Sequence, residues 1–288
     1  VSPYRSTFSR HVRLHAAFLT ALGILVASPL QAARPDVRLK GTFSQGGMVI
    51  GHAPPGTAVT LDGRTLLVSP GGDFVFGFGR DAKPTAHLEL TLGDGVRESR
   101  TLRVASRKYR IQRIDGLAKR KVTPNPKDIA HIKADNAKIK KVRTLNTPVP
   151  YFLQGFSWPV TGPISGVFGS QRVLNGIPKN PHNGVDIAAP RGSVITAPAP
   201  GVVRLAVPNM FYTGKTLMID HGFAITSVYA HMDKILVHDG EKVRRGQPIG
   251  VVGQSGRATG PHLHWGVTWF STHLDPQLLA GPMPKKGK

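Results

Sequence analysis

The 288-residue chain reads as mostly β in three parts: an N-terminal β-sandwich, a basic and partly helical connector, and a C-terminal antiparallel β-sheet domain. Three observations predict this. Short alternating or β-branched runs recur between Gly, Pro and Asp turn signals over residues 34–106 and again over 151–282. Charge divides the chain: residues 34–99 hold 7 basic and 7 acidic residues, residues 100–150 hold 15 against 3 (net +12), and residues 151–288 hold 13 against 6 (net +7). The one helical pattern, Asp128 to Val142, falls in the basic middle.

Residues 1–33 read as an export signal rather than a fold element. Arg5, Arg10 and Arg13 give a basic start, and Ala16–Ala27 is an apolar run interrupted only by Thr20. The run is short for the ~20 residues that span a bilayer, and small residues at Ala32-Ala33 suit cleavage. The mature protein is then expected in the periplasm or cell envelope. With no Cys it gains no disulfide support there and must rely on ordinary cores.

Residues 34–106 are expected to be immunoglobulin-like. Thr57–Leu61 alternates, Asp62-Gly63 signals a hairpin, and Thr65–Val68, Phe74–Phe78, Leu88–Leu92 and Thr101–Val104 supply further short strands. No catalytic group stands out among them, so the reading is a spacer, with a wall-binding or partner surface as alternatives.

Residues 107–150 form the connector. Pro124-Asn125-Pro126 precedes the helix, with Asp128 near its start and Lys138, Lys140, Lys141 and Arg143 near its end, an order that suits the helix dipole. Ile129, Ile132 and Ile139 offer a partial apolar stripe for light packing. The charge run is a solvated face that offers attraction to an anionic wall or membrane surface. Nucleic acid is not expected, because the basic stretch has no interleaved aromatics and no recognition motif.

From residue 151 onward, Gly201–Val207, Lys215–Asp220, Ala224–Ala230, Lys242-Val243, Ile249–Val252 and Leu263–Trp269 read as strands, giving an antiparallel sandwich or open barrel. A basic tail occupies 283–288. This region carries the chemistry: Pro181-His182-Asn183-Gly184-Val185-Asp186, Tyr229-Ala230-His231-Met232 and Gly260-Pro261-His262-Leu263-His264-Trp265. On a strand, His262 and His264 share a face about 7 Å apart, as two ligands or as one ligand beside a catalytic group. Extended, His182 and Asp186 would lie about 13 Å apart, so a turn at Asn183-Gly184 is expected to fold them together on a loop. Imidazoles and a carboxylate suit zinc, whose catalytic sites keep three protein ligands and an open position. Thiolate chemistry is excluded by the lack of Cys, and neither a Gly-x-Ser-x-Gly elbow nor a His-Glu-x-x-His helix occurs.

His-x-x-x-Asp, then Tyr-x-His-Met, then Gly-Arg-Ala-Thr-Gly-Pro-His-Leu-His resembles the lysostaphin-type (M23, LytM-like) zinc metallopeptidases, which cut peptide bonds in bacterial peptidoglycan. The resemblance covers about residues 153–280, including Gly166-Val167-Phe168-Gly169, Pro198-Ala199-Pro200-Gly201 and Asp220-His221-Gly222. It implies a β-sheet groove holding one Zn2+ on His182, Asp186 and His264, with His231 and His262 as catalytic histidines beside a metal-activated water. Trp265-Gly266 replaces the acidic residue often found after His-x-His. The implied substrate is the stem-peptide cross-link, with a D-alanyl–meso-diaminopimelate bond favoured over a glycine bridge because the signal and domain plan look like those of diderm-envelope members. The alternative is a non-enzymatic module of the same fold that binds and activates cell-wall amidases; members of that type have lost metal ligands, and this chain keeps all five residues.

The carboxylates from residue 151 on are Asp186, Asp220, Asp233, Asp239, Glu241 and Asp275. Only Asp186 lies in an active-site motif, so proton transfer is assigned to imidazole. His221 in Asp-His-Gly is expected to be structural, and His52, His87, His131, His238 and His273 to be exposed or packed. Oligomeric state has no signature in the sequence.

Overall fold

The computed structural model describes residues 36–284. The expected signal segment (1–33) and residues 285–288 of the basic tail lie outside the described residues. Seven strands come first: β1 (Arg38–Gly41), β2 (Met48–His52), β3 (Ala58–Leu61), β4 (Arg64–Leu66), β5 (Asp73–Gly77), β6 (Thr85–Thr91) and β7 (Arg97–Arg103). They form two antiparallel sheets, ordered β1-β2-β5 and β4-β3-β6-β7. The period of two sets the inward face: in β6, Ala86, Leu88 and Leu90 are buried while Thr85, His87 and Glu89 are exposed. Asp62 and Gly63 close the β3–β4 hairpin at φ 47° and 78°, the backbone that Asp-Gly favours in tight hairpins. The sequence expectation omits β1 and β2. Leu39 is the only apolar side chain of β1, so that strand carries no alternating signal of its own.

The connector is more firmly built in than its charge suggests. β8 (Ile111–Ile114) pairs in parallel with β10 (Gln171–Leu174) of the C-terminal region. Beyond it, Leu117 N donates to Asn175 Oδ1 at 3.1 Å while Asn175 Nδ2 donates to Leu117 O at 2.7 Å. A short helix, α1 (Lys119–Val122), leads to α2 (Pro126–Arg143). Asn125 and Asp128 close a capping box at the start of α2, satisfying N–H groups that the helix leaves free.

The light packing expected of α2 is met in part, with Ile132 and Ile139 half-buried. The side chains that α2 buries are Asp128, Asp135 and Val142, seven residues apart, whereas Ile129 is 43% exposed. Polar partners seat the helix: Asp128 receives Arg120, and Asp135 Oδ2 accepts from Phe211 N at 2.8 Å. An apolar-stripe reading cannot find carboxylates that point inward.

The remaining strands make one ten-stranded antiparallel sheet. They are β9 (Ile164–Gly166), β12 (Val185–Ala188), β13 (Val194–Thr196), β14 (Gly201–Met210), β15 (Gly214–Asp220), β16 (Ile225–Ile235), β17 (Lys242–Val243), β18 (Pro248–Val252), β19 (His262–Trp269) and β20 (Thr272–Leu274); β11 (Ile177–Pro178) extends β10 apart from it. The main path runs β17-β14-β15-β16-β19-β12-β9. The antiparallel expectation holds, and each predicted strand is present with ends moved by up to five residues. The longest extension, β16 to Ile235, continues past Met232 through pairing with β18. α3 (Pro276–Ala280) closes the domain, capped by Asp275, whose Oδ1 accepts from Gln277 N.

Strand pleating divides the centre of this sheet into two faces. Tyr229, Trp265 and Val185 are adjacent in register and fully buried on the core side. One residue along, Ala230, His264 and Asp186 are adjacent in register on the opposite side. That second face carries the histidines.

Candidate metal centre

Three ligand atoms converge over β12 and β19. Asp186 is directly opposite His264 in the ladder, and its Oδ1 lies 2.8 Å from His264 Nδ1. His182 Nε2 completes the triangle at 3.0 Å from Asp186 Oδ1 and 3.0 Å from His264 Nδ1. Among the described residues, this is the group of three metal-ligating side chains that comes together.

The loop expectation is half corrected. His182 is on a loop, but Asp186 is a strand residue of β12, and no closed turn forms at Asn183-Gly184. The backbone bends at Gly184 instead. A Cβ there would stand 2.4 Å from Trp265 O and 3.0 Å from His264 Cε1, so only glycine lets the chain pass this close to β19. His182 is anchored before the bend: its N donates to Ser170 O at 2.9 Å, and Gly169 N donates to its carbonyl at 2.8 Å. Gly166 performs the same service for Asp186, since its Cβ would fall 2.3 Å from Oδ2.

The donor set fits a zinc ion. Two imidazole nitrogens and one carboxylate oxygen form edges of 2.8–3.0 Å, a few tenths of an ångström inside the ~3.3 Å edge of a tetrahedron with bonds of about 2.0–2.1 Å. The outer nitrogen of His182 also faces the right partner. Nδ1 lies 3.2 Å from Val167 O; a carbonyl can only accept, so Nδ1 carries the proton and Nε2 presents its lone pair inward. Burial pushes His182 down to about 4, which keeps that ring neutral, with a lone pair free to ligate, at pH 7. Burial opposes ionisation of Asp186, but the imidazole groups packed against its carboxylate outweigh burial and hold the carboxyl well below its ordinary range.

His231 and His262 stand beside the triangle. Their ring centroids are 4.7 Å apart, and His231 is 6.3 Å from His264. Backbone carbonyls orient both: His231 Nδ1 donates to Ser255 O at 2.7 Å, and His262 Nδ1 donates to Gly260 O at 2.8 Å. Each Nε2 is thereby left as a base. Burial first, and the neighbouring His262 and His264 second, push His231 down to about 3.

His231 is delivered by strained backbone. Its φ is +62°, in a region costly for a non-glycine residue, and the β15–β16 register shifts between Lys215 and Leu217. The bulge is pinned where His231 N donates to Thr213 O at 2.8 Å. Such bulges re-aim a side chain, and no spacing in the sequence announces this one.

Sequence reasoning missed two arginines. Arg172 Nη2 donates to Asp186 Oδ2, the oxygen that faces away from the triangle. Arg257 lines the same groove of about 790 Å³ as Arg172, His182, His231 and His264. Arg172 carries no motif signal, and Arg257 lies inside the Gly-Arg-Ala-Thr-Gly-Pro-His-Leu-His motif without a role being assigned to it there. Four of the five remaining acids are engaged elsewhere: Asp220 with Thr147 and Gly222, Asp233 with Arg191, Glu241 with Gln247, and Asp275 with Arg107. His221 is buried, with Nδ1 donating to Pro200 O at 2.6 Å and Nε2 2.7 Å from Ser227 Oγ.

Comparison with known proteins agrees with this geometry. Residues 180–276 match Peptidase family M23. The chain is 47% identical over 85 residues to the peptidoglycan DD-endopeptidase ShyA of Vibrio cholerae, covering 30% of this chain and 20% of that protein. It is 45% identical over 105 residues to ShyB of the same organism, covering 36% and 24%. The DD-carboxypeptidase/endopeptidase Mpg of Neisseria meningitidis is 38% identical over 104 residues, covering 36% and 24%. The chain thus spans about a fifth to a quarter of the length of these relatives. A crystal structure of a candidate peptidase M23 from Pseudomonas aeruginosa superposes with a TM-score of 0.64 at 29% identity, over 83% of this chain and 96% of that one.

Proposed function

Residues 180–276 are a peptidase family M23 domain, and from that premise we propose that the protein is a zinc endopeptidase that hydrolyses peptide cross-links of peptidoglycan. The observation that carries the reading is the convergence of five side chains: a three-atom ligand triangle with two carbonyl-oriented imidazoles beside it. The amidase-activating alternative is favoured by loss of metal ligands, and here the ligand set is whole.

His182, Asp186 and His264 would hold the ion. Zinc there supplies Lewis acidity and lowers the pKa of a water molecule towards neutrality. The chain's own part is proton handling and positioning. Nε2 of His231 and of His262 each offer a lone pair towards the reacting amide. A neutral ring that takes up a proton becomes a donor, able to stabilise the tetrahedral oxyanion or to protonate the leaving amine. No other carboxylate lies in the ligand group, so imidazole carries this work.

The bond is proposed to be D-alanyl–meso-diaminopimelate, a reading supported by the DD-endopeptidase names of ShyA and ShyB. The same relatives support action outside the cytoplasm, in the periplasm or cell envelope. Residues 34–106 are proposed as an immunoglobulin-like spacer, supported by the three-plus-four strand order. Residues 107–150 are proposed as the basic connector, able to approach anionic wall or membrane surfaces, and residues 151–282 as the peptidase domain.

Incubation of the zinc-loaded protein with cross-linked muropeptide dimers, followed by mass spectrometry, tests this. Conversion of dimers to monomers is expected. Intact dimers, with zinc bound and the protein folded, would refute it.

A further inference from the structure

The groove over the ligand triangle is unbalanced in charge. Arg172, Lys179 and Arg257 line it, and its walls contain no Asp or Glu. The one carboxylate nearby, Asp186, lines a smaller adjoining cavity together with Arg172, Arg257, His231 and His262. Asp186 is also committed to the ligand triangle through Oδ1.

The two guanidinium groups are incompletely used. Arg172 spends Nη2 on Asp186 Oδ2, while its Nε is buried with no partner. Arg257 has no carboxylate partner among the described residues. Its ring-like face packs 4.4 Å from the Tyr212 centroid, and its one hydrogen bond, Nη1 to Lys121 O, is long at 3.4 Å. Burial lowers its pKa, and the nearby positive charge of Arg172 adds to that effect. A half-buried arginine whose donors are mostly uncommitted, next to a second cation, is set up for an anion; arginine binds carboxylate through paired N–H donors.

Resting on the peptidase reading above, we propose that Arg257, with Arg172, binds a free carboxylate of the substrate on the carbon next to the scissile nitrogen. Arg172 is one carboxylate group away from the ligand triangle, so an anion within its reach sits beside the reacting amide. The chemistry selects a substrate class. In a D-alanyl–meso-diaminopimelate cross-link, the carbon bearing the scissile nitrogen also bears a carboxylate. In a cross-link through a glycine-bridge amine, that position is extended by another amide and offers no charge. Arg257 is thus a specificity residue, and Arg172 links the bound anion to the metal ligand.

The test compares two ligands that differ in this one group. Zinc-loaded full-length protein is titrated calorimetrically with the muropeptide monomer that forms the amine side of the cut, with the carboxyl beside the amine either free or converted to the primary amide. The free acid should bind about ten-fold more tightly or better, the order expected of a charge-assisted hydrogen bond. Arg257→Gln should bring the ratio to about one with zinc content unchanged, and Arg257→Lys should retain part of it. Equal affinity of the two monomers in the wild type, no binding of either, or an undiminished ratio in folded Arg257→Gln would overturn the proposal. If Arg257→Gln does not fold, the wild-type ratio decides alone. Hydrolysis of the two corresponding dimers is followed separately: failure to cut either overturns the peptidase reading and leaves the binding ratio to judge the carboxylate site.

Discussion

Asp186 and His264 are register partners across the β12–β19 ladder, with Oδ1 of one 2.8 Å from Nδ1 of the other. Two thirds of the ligand triangle is therefore placed by sheet pairing, and His182 is brought to it by a glycine-enabled bend. If these three side chains hold the metal, single replacement of Asp186 or His264 by Ala should weaken zinc binding by at least about 100-fold, beyond the 10–100-fold typical of losing a supporting partner. Chelator competition measures this, and wild-type affinity in either variant would remove that residue from the ligand set.

Gly166 predicts a subtler loss. A methyl group there would press on Asp186 Oδ2 from 2.3 Å, forcing the carboxylate or β9 to shift. Gly166→Ala should keep the fold by circular dichroism yet lower zinc affinity by about ten-fold, the low end for disturbed ligand support. Unchanged affinity would mean that the carboxylate moves without cost.

His231 stands beside the triangle, its ring 6.3 Å from that of His264, without belonging to it, and its proposed role is proton handling. His231→Ala is expected to keep one zinc per chain and to lose about 10²–10⁴-fold in kcat, the range for removing a general acid or base. Zinc content and muropeptide turnover are measured on the same sample. Near-normal turnover with zinc in place would take His231 out of the chemistry.

How much of this could be read beforehand depends on residue type. His182, Asp186, His231, His262 and His264 stood out because metal-binding chemistry uses few residue types at short spacings, and all five meet on one face. Strand β3 was legible from the alternation of Thr57–Leu61, and β19 from its aromatic and β-branched residues. The bulge at His231, with its φ of +62°, was not, because strain of this kind is imposed by tertiary pairing. Neither were β8, whose Ile-Gln-Arg-Ile alternates with charge rather than with a distinct apolar face, nor the inward aspartates of α2, whose partners lie 8 and 76 residues away. Arg172 was silent for the same reason, and Arg257, although inside the Gly-Arg-Ala-Thr-Gly-Pro-His-Leu-His motif, had no legible role because its surroundings come from tertiary packing.

Stability should fall with acid through His221. Burial pushes its pKa down to about 4, while the unfolded ring titrates near its ordinary 6.5. The neutral ring contributes its full stability above about pH 6.5, and this is lost progressively as pH falls from there towards about 4 because the unfolded chain takes up the proton first. His182, His231 and His273 are shifted in the same direction by burial and steepen the slope. Thermal melts of wild type and His221→Gln between pH 7 and 4 should show a shallower decline in the variant, by about one proton. Parallel declines would show that His221 does not titrate differently on unfolding.

The central claim is tested most directly by titrating zinc into metal-stripped protein while following release of monomers from D-alanyl–meso-diaminopimelate muropeptide dimers. Turnover should be absent at the start, rise in proportion to added zinc and saturate at one ion per chain. Release of monomers at full rate before any zinc is added, or none at saturation by folded protein, would contradict it.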